Sequence, residues 1–204
     1  MHAPDIGSGN GTFRPVLKFN AKSGRWSYRN IDGDQEINPT SVIVDLANIS
    51  PCWASFREGQ APNRIYDPSS GTRAPKPSDE HKRGFTLIVA VPKDAVGEDN
   101  VCEMSSTSML LANSIKEVWA QFREGVDANP GKVPVVTIKG VTADKGKFGT
   151  NYRPDLTVSS WVERPAGMPD EPASGESPTG MVGNGSGAVH QAAPPATTSS
   201  ATEF

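Results

Sequence analysis

Apolar and polar positions are most clearly patterned over residues 132–164, where two strand-like runs flank a basic, glycine-punctuated tip. Val133, Val135, Val136, Thr137, Ile138 and Val141 suit a pleated surface and predict a strand over residues 133–141. Residues 151–163 alternate, with Leu156, Val158 and Val162 on one face and Thr157, Ser159 and Trp161 on the other, which predicts a second strand. Gly146 and Gly149 are free to take positive φ between the two. Earlier in the chain, Val16, Leu17 and Phe19 predict a strand, Lys22-Ser23-Gly24 a turn, and residues 25–28 its partner. Residues 40–49 add a strand with Val42, Val44 and Leu46 as core. Residues 84–91 add the most apolar strand, ended by Pro92, which has no N–H for a ladder.

The period changes to three and four residues in one place. Met104, Ser108, Leu111, Ile115, Val118 and Phe122 predict an α-helix from residue 105 to about 123, with Asn129-Pro130-Gly131 barring its continuation. The predicted chain is mainly β, with one helix inserted before the last hairpin. Residues 50–83 show little regular pattern and read as a long loop covering the sheet, with Trp53 and Phe56 as anchors and Tyr66 as its best stacking candidate.

Composition supplies the boundaries. The chain has 204 residues with 20 glycines and 18 prolines, which suits one domain with appendages. Residues 1–12 are predicted to be a disordered arm, 13–164 the domain, and 165–204 a disordered tail of proline, glycine, serine, threonine and alanine. No run of about 18 apolar residues is present, so no membrane span is expected. Residues 1–12 lack the basic and apolar regions of a signal peptide, so a soluble, non-secreted protein is expected.

Charge is uneven. The tail carries Asp170, Glu171, Glu176 and Glu203 without lysine or arginine, so the whole-chain charge of −3 leaves +1 on residues 1–164. A nucleic-acid role therefore rests on local clusters. One is residues 14–29, where Arg14, Lys18, Lys22, Arg25 and Arg29 interleave with Phe19, Trp26 and Tyr28 without an acid. The other is the tip of the last hairpin, with Lys145, Lys147, Phe148, Tyr152 and Arg153. Cations beside flat rings are what a single-stranded nucleic acid requires, because the cations meet phosphates and the rings stack on bases.

Catalytic and metal motifs are missing. Asp32, Asp34 and Glu36 lack the downstream ligands of a calcium loop, since Ile43 occupies the twelfth position. HExxH, Walker A, GxGxxG and GxSxG do not occur. Cys52 and Cys102 have neither metal nor redox spacing and read as two half-buried thiols. No enzyme, metal or cofactor is expected.

The segments LKFNAKSGRWSYR, FREGQAPN, HKRGF and GKVPVVTIKGVTADKGKFGTNYRP, with a flexible tail ending in Glu-Phe, resemble single-stranded-DNA-binding proteins of OB-fold type encoded by tailed bacteriophages. The resemblance covers residues 14–164. It implies an OB-fold-like five-stranded barrel with long β-hairpins, acting in phage DNA replication or recombination in the cytoplasm of the infected host cell. On that reading, phosphate contacts are expected from the basic positions Lys18, Lys22, Arg25, Lys139, Lys145, Lys147 and Arg153, and base stacking from the rings of Trp26, Tyr28, Phe148, Tyr152 and Trp161. It also implies recruitment of replication proteins by the tail, at Glu203 and Phe204. The alternative is a non-catalytic phage interaction factor using the same loops on a protein partner.

Overall fold

The computed structural model describes residues 14–57, 62–68, 72–147 and 149–170. Among them the elements run β1 (Val16–Asn20), β2 (Arg25–Asn30), β3 (Gly33–Ile37), β4 (Ser41–Val44), β5 (Ser50–Ser55), β6 (Asn63–Tyr66), β7 (Lys82–Ala90), α1 (Lys93–Val96), β8 (Val101–Ser106), α2 (Met109–Gly125), β9 (Lys132–Gly146) and β10 (Gly149–Glu163). The protein is mainly β. Its ten strands share one hydrogen-bonded sheet, ordered β10-β9-β4-β7-β8-β1-β2-β3, with β5 joined to β7 and β6 to β5.

This sheet has twice the strands of the expected five-stranded barrel, and among the described residues no ladder joins its ends, β3 and β10. The additions have physical causes. Residues 33–37 look like an acidic turn because four of the five side chains are exposed, yet they pair with β2 through Trp26↔Ile37 and Tyr28↔Gln35. Residues 101–106 bury only Cys102 and Met104, too few to stand out as alternation. Part of the expected long loop is the β5–β6 hairpin, with Cys52 opposite Tyr66 and Ala54 opposite Arg64. Within that loop Trp53 is partly buried, whereas Phe56, the other expected anchor, is 52% exposed.

The centre of the sheet is a Greek key. Strands β4, β7 and β8 are antiparallel neighbours, and β9 returns after α2 to lie beside β4. Strands β4 and β5 both pair with β7, as two halves of one bent run. β4 meets Val89 and Ala90, β5 meets residues 82–86, and the Asp45 N–H bridges the bend to the Ile88 carbonyl at 2.9 Å. Strand β1 then adds to β8 in parallel, bringing β2 and β3 with it.

Helix α2 starts at Met109, later than its apolar stripe suggests, because Met104 belongs to β8. It buries Leu111, Ile115, Val118 and Phe122 among Leu17, Leu46, Leu87 and Val136 of the sheet. Helix and edge strand are also tied by polar bonds. Ser114 Oγ donates to the Pro154 carbonyl at 2.7 Å, and Gln121 Oε1 accepts from the Val158 N–H at 2.9 Å. The second bond occupies an edge donor that would otherwise be open to another strand.

The packed body continues past residue 164. Arg164 pairs with the fully buried Asp45 at 2.8 Å, Asn48 Nδ2 donates to the Asp170 carbonyl at 3.0 Å, and Met168 is buried. The rest of the expected tail, and the expected arm over residues 1–12, lie outside the described residues.

Candidate nucleic-acid interface

Beyond Ile138 the last hairpin leaves the sheet. The Ile138 N–H bonds the Thr40 carbonyl at 2.9 Å, and past that point β9 and β10 form a strand ladder with each other and with no third strand among the described residues. The register shifts here: Asp155 faces Gly140 while Leu156 faces Ile138, so Lys139 is the extra residue of a bulge. Gly140 has φ 142°, a conformation that side-chain-bearing residues rarely adopt. The result is a two-stranded arm on which Lys139, Lys145 and Lys147 are exposed, with Asp144 and, opposite Gly140, Asp155 as its acids. Phe148, expected to stack at the tip, lies outside the described residues.

The arm meets the first hairpin at its base. The Tyr152 N–H donates to the Ala21 carbonyl at 2.7 Å, and the Tyr152 ring lies against Gly24. The two basic hairpins, far apart in the sequence, are therefore neighbours, and the exposed Lys22 sits in the β1–β2 turn that meets the arm. Arg153 is held to Glu117 of α2 at 2.6 Å, where it braces the arm against the helix.

Other expected contacts are corrected by the structure. Trp26 is buried against Phe19 with ring centroids 4.9 Å apart, and Tyr28 is fully buried with its hydroxyl donating to the Asp99 carbonyl at 2.5 Å. Neither ring can stack on a base while the domain is folded. Trp161 packs on Phe122 at 5.6 Å and presses on Gly125, where a Cβ would come within 2.7 Å of it. Its expected outward direction assumed unbroken alternation; Ser159 is an extra residue opposite β9, and the shift puts Trp161 on the core side with Leu156 and Val158. Lys18 and Arg25 are solvent-facing but paired, with Asp34 at 3.1 Å and Glu36 at 2.9 Å. Strand β3 pairs two of the five cations in the cluster that looked acid-free in sequence. Glu203 and Phe204 lie outside the described residues.

A groove of about 950 Å³ between α2 and the β5–β6–β7 layer was not legible beforehand. Trp53, Tyr66 and Trp119 line it over an apolar floor that includes Leu46, Ile49 and Phe85. Five cations border it, Arg73, Lys76, Lys82, Arg83 and Lys116, against one acid, Asp67. Arg83 takes both oxygens of Asp67 in a bidentate pair, one bond at 2.8 Å, and lies over Trp53 at 5.7 Å. That hydrogen bonding holds the Asp67 carboxyl below its usual range, overcoming the effect of burial, and raises the Arg83 guanidinium. Trp53 Nε1 donates to the Ala74 carbonyl at 2.7 Å, which fixes the indole as a wall. Trp119 is 39% exposed, with the Arg123 guanidinium over its ring at 5.2 Å.

Cys52 and Cys102 are free and buried; burial pushes both thiols up, Cys102 to about 12, away from the reactive thiolate. Among the described residues no cluster of three or more His, Cys, Asp or Glu could hold a metal ion, and no helix is long and apolar enough to cross a membrane. Comparison of the chain with protein-family models, with curated proteins and with solved structures finds no match.

Proposed function

We propose that the protein binds single-stranded DNA with little sequence preference, as an OB-type domain serving bacteriophage DNA replication or recombination in the host cytoplasm. What carries the proposal is the junction at Tyr152, which puts Lys22 beside an arm bearing Lys139, Lys145 and Lys147. Lysines on a projecting ribbon neutralise successive phosphates and release counterions, which gives affinity without reading bases. The sequence adds Phe148 at the tip as a stacking ring.

Strand order supports the OB-type assignment. The run β10-β9-β4-β7-β8 is a five-stranded Greek key with α2 between its third and fourth strands, counting the bent β4–β5 as the first. Barrels of this kind bind oligonucleotides with the loops that join strands one to two and four to five. Here those connections are residues 56–81 and the arm. The β1–β3 meander is then an addition lying between the third strand and the fifth, linked to the latter by the Tyr152–Ala21 bond and the Tyr152–Gly24 contact. Recruitment of replication proteins through Glu203 and Phe204 belongs to the same proposal.

The test is fluorescence anisotropy of labelled oligo-dT with the full chain at low salt, beside a duplex of equal length. Tighter binding of the single strand is expected. Absence of binding to it, or equal binding of the duplex, contradicts the proposal.

A further inference from the structure

We infer that the groove between α2 and the β5–β6–β7 layer is a second contact for the same strand, taking unstacked bases against Trp53, Tyr66 and Trp119. This inference rests on the proposed binding of single-stranded DNA and adds a site away from the arm.

Charge selects an anionic occupant. Five cations face one carboxylate; Arg83 takes both oxygens of that carboxylate and Lys76 pairs with Asp79 at 3.3 Å, which leaves Arg73, Lys82 and Lys116 for an anionic occupant. Lys82 and Lys116 are exposed on opposite walls, one on β7 and the other on α2. The floor selects further. Leu46, Ile49 and Phe85 give nothing to a phosphate, so the occupant must also present apolar surface. Three aromatic side chains along the walls favour flat groups over aliphatic ones. A single strand joins these properties in one polymer, with charge along one edge and π-faces along the other. A folded duplex hides its π-faces in the stack.

Helix α2 links this groove to the arm. Glu117 holds Arg153 at the arm's base, and Lys116, the preceding residue, lines the groove. A strand lying along the arm therefore reaches the groove by crossing one helix.

Tryptophan emission reads the groove directly. Trp53 and Trp119 line it, whereas Trp26 is buried in the core and Trp161 is packed on Phe122. Oligo-dT should quench the emission of the full chain as it binds, and W53F and W119F should each remove part of the quenching. W119A should weaken binding by roughly five-fold or more. K82A/K116A, which alters two exposed side chains, should weaken it several-fold and reduce quenching at matched saturation. Arm variants should keep full quenching once saturated. Oligo-dT that binds by anisotropy but leaves emission unchanged, with W119A and K82A/K116A binding as wild type, overturns the groove while the arm proposal stands. No binding by anisotropy overturns both. Quenching by an alternating Glu-Leu peptide, with none by oligo-dT, overturns it in favour of an acidic protein partner.

Discussion

Gly24 and Tyr152 fit together so closely that a Cβ on the glycine would lie 3.0 Å from the tyrosine Cγ. Gly24 also has φ 71°, so the turn of the first hairpin takes both its backbone shape and its approach to β10 from the missing side chain. Replacing Gly24 with alanine should cost about 1–3 kcal/mol, from left-handed backbone strain and displacement of the ring. Chemical denaturation should show that loss. An unchanged midpoint would mean that the two hairpins are not locked together.

The buried pair Arg164–Asp45 closes the body at its C-terminal end. Asp45 is fully buried, and Asn48 Nδ2 also donates to it at 2.8 Å. Arg164→Met leaves a carboxylate in the interior without its cation and should cost about 3–5 kcal/mol. Pairing it with Asp45→Leu should recover much of the loss, and a double-variant cycle measures how much. Two independent, additive losses would contradict this coupling.

Asp67 gives the groove an acid-sensitive strut. Its folded-state pKa is depressed by Arg83, so its contribution is fully present above the unfolded value of about 3.9 and is lost as pH falls through the lower folded value. The stability difference between wild type and Asp67→Asn should therefore hold steady from neutral pH down to about pH 4 and shrink below it. Urea midpoints across that range check the sign; a difference unchanged in strong acid would rule out the titration.

Both thiols should be silent in the native protein. Cys52 and Cys102 are buried with raised pKa values, so a thiol reagent at mildly alkaline pH should label neither until denaturant is added. Rapid labelling of either would show that the core around β5, β7 and β8 opens easily.

A buried apolar run and a one-sided apolar stripe were legible from sequence. Leu87 and Val89 marked β7, and Leu111, Ile115, Val118 and Phe122 marked α2. Alternation shows which residues share a face but not which face is inward. Trp26 and Tyr28 alternate with Arg25, Ser27 and Arg29 whether the rings stack on a ligand or fill the core; they fill the core. The bulge at Ser159 changed the direction of Trp161, and the proline beside it, Pro134, lies on the opposite strand. Strand β3 was obscured by its exposed acids, the residues that neutralise Lys18 and Arg25. The groove was hidden for a different reason. Its walls come from positions 53, 66, 82, 116 and 119, which only the fold brings together.

The central claim is that the arm binds a polyanion by charge, and the salt dependence of oligo-dT affinity tests it most directly. Affinity should fall linearly on logarithmic axes as salt rises, with a slope of about −0.7 per phosphate neutralised. Replacing Lys139, Lys145 and Lys147 together with alanine should weaken binding at low salt and flatten that slope by about 2. These side chains are exposed, so the thermal midpoint should hardly move. A triple variant that binds with wild-type affinity and an unchanged slope would contradict the account.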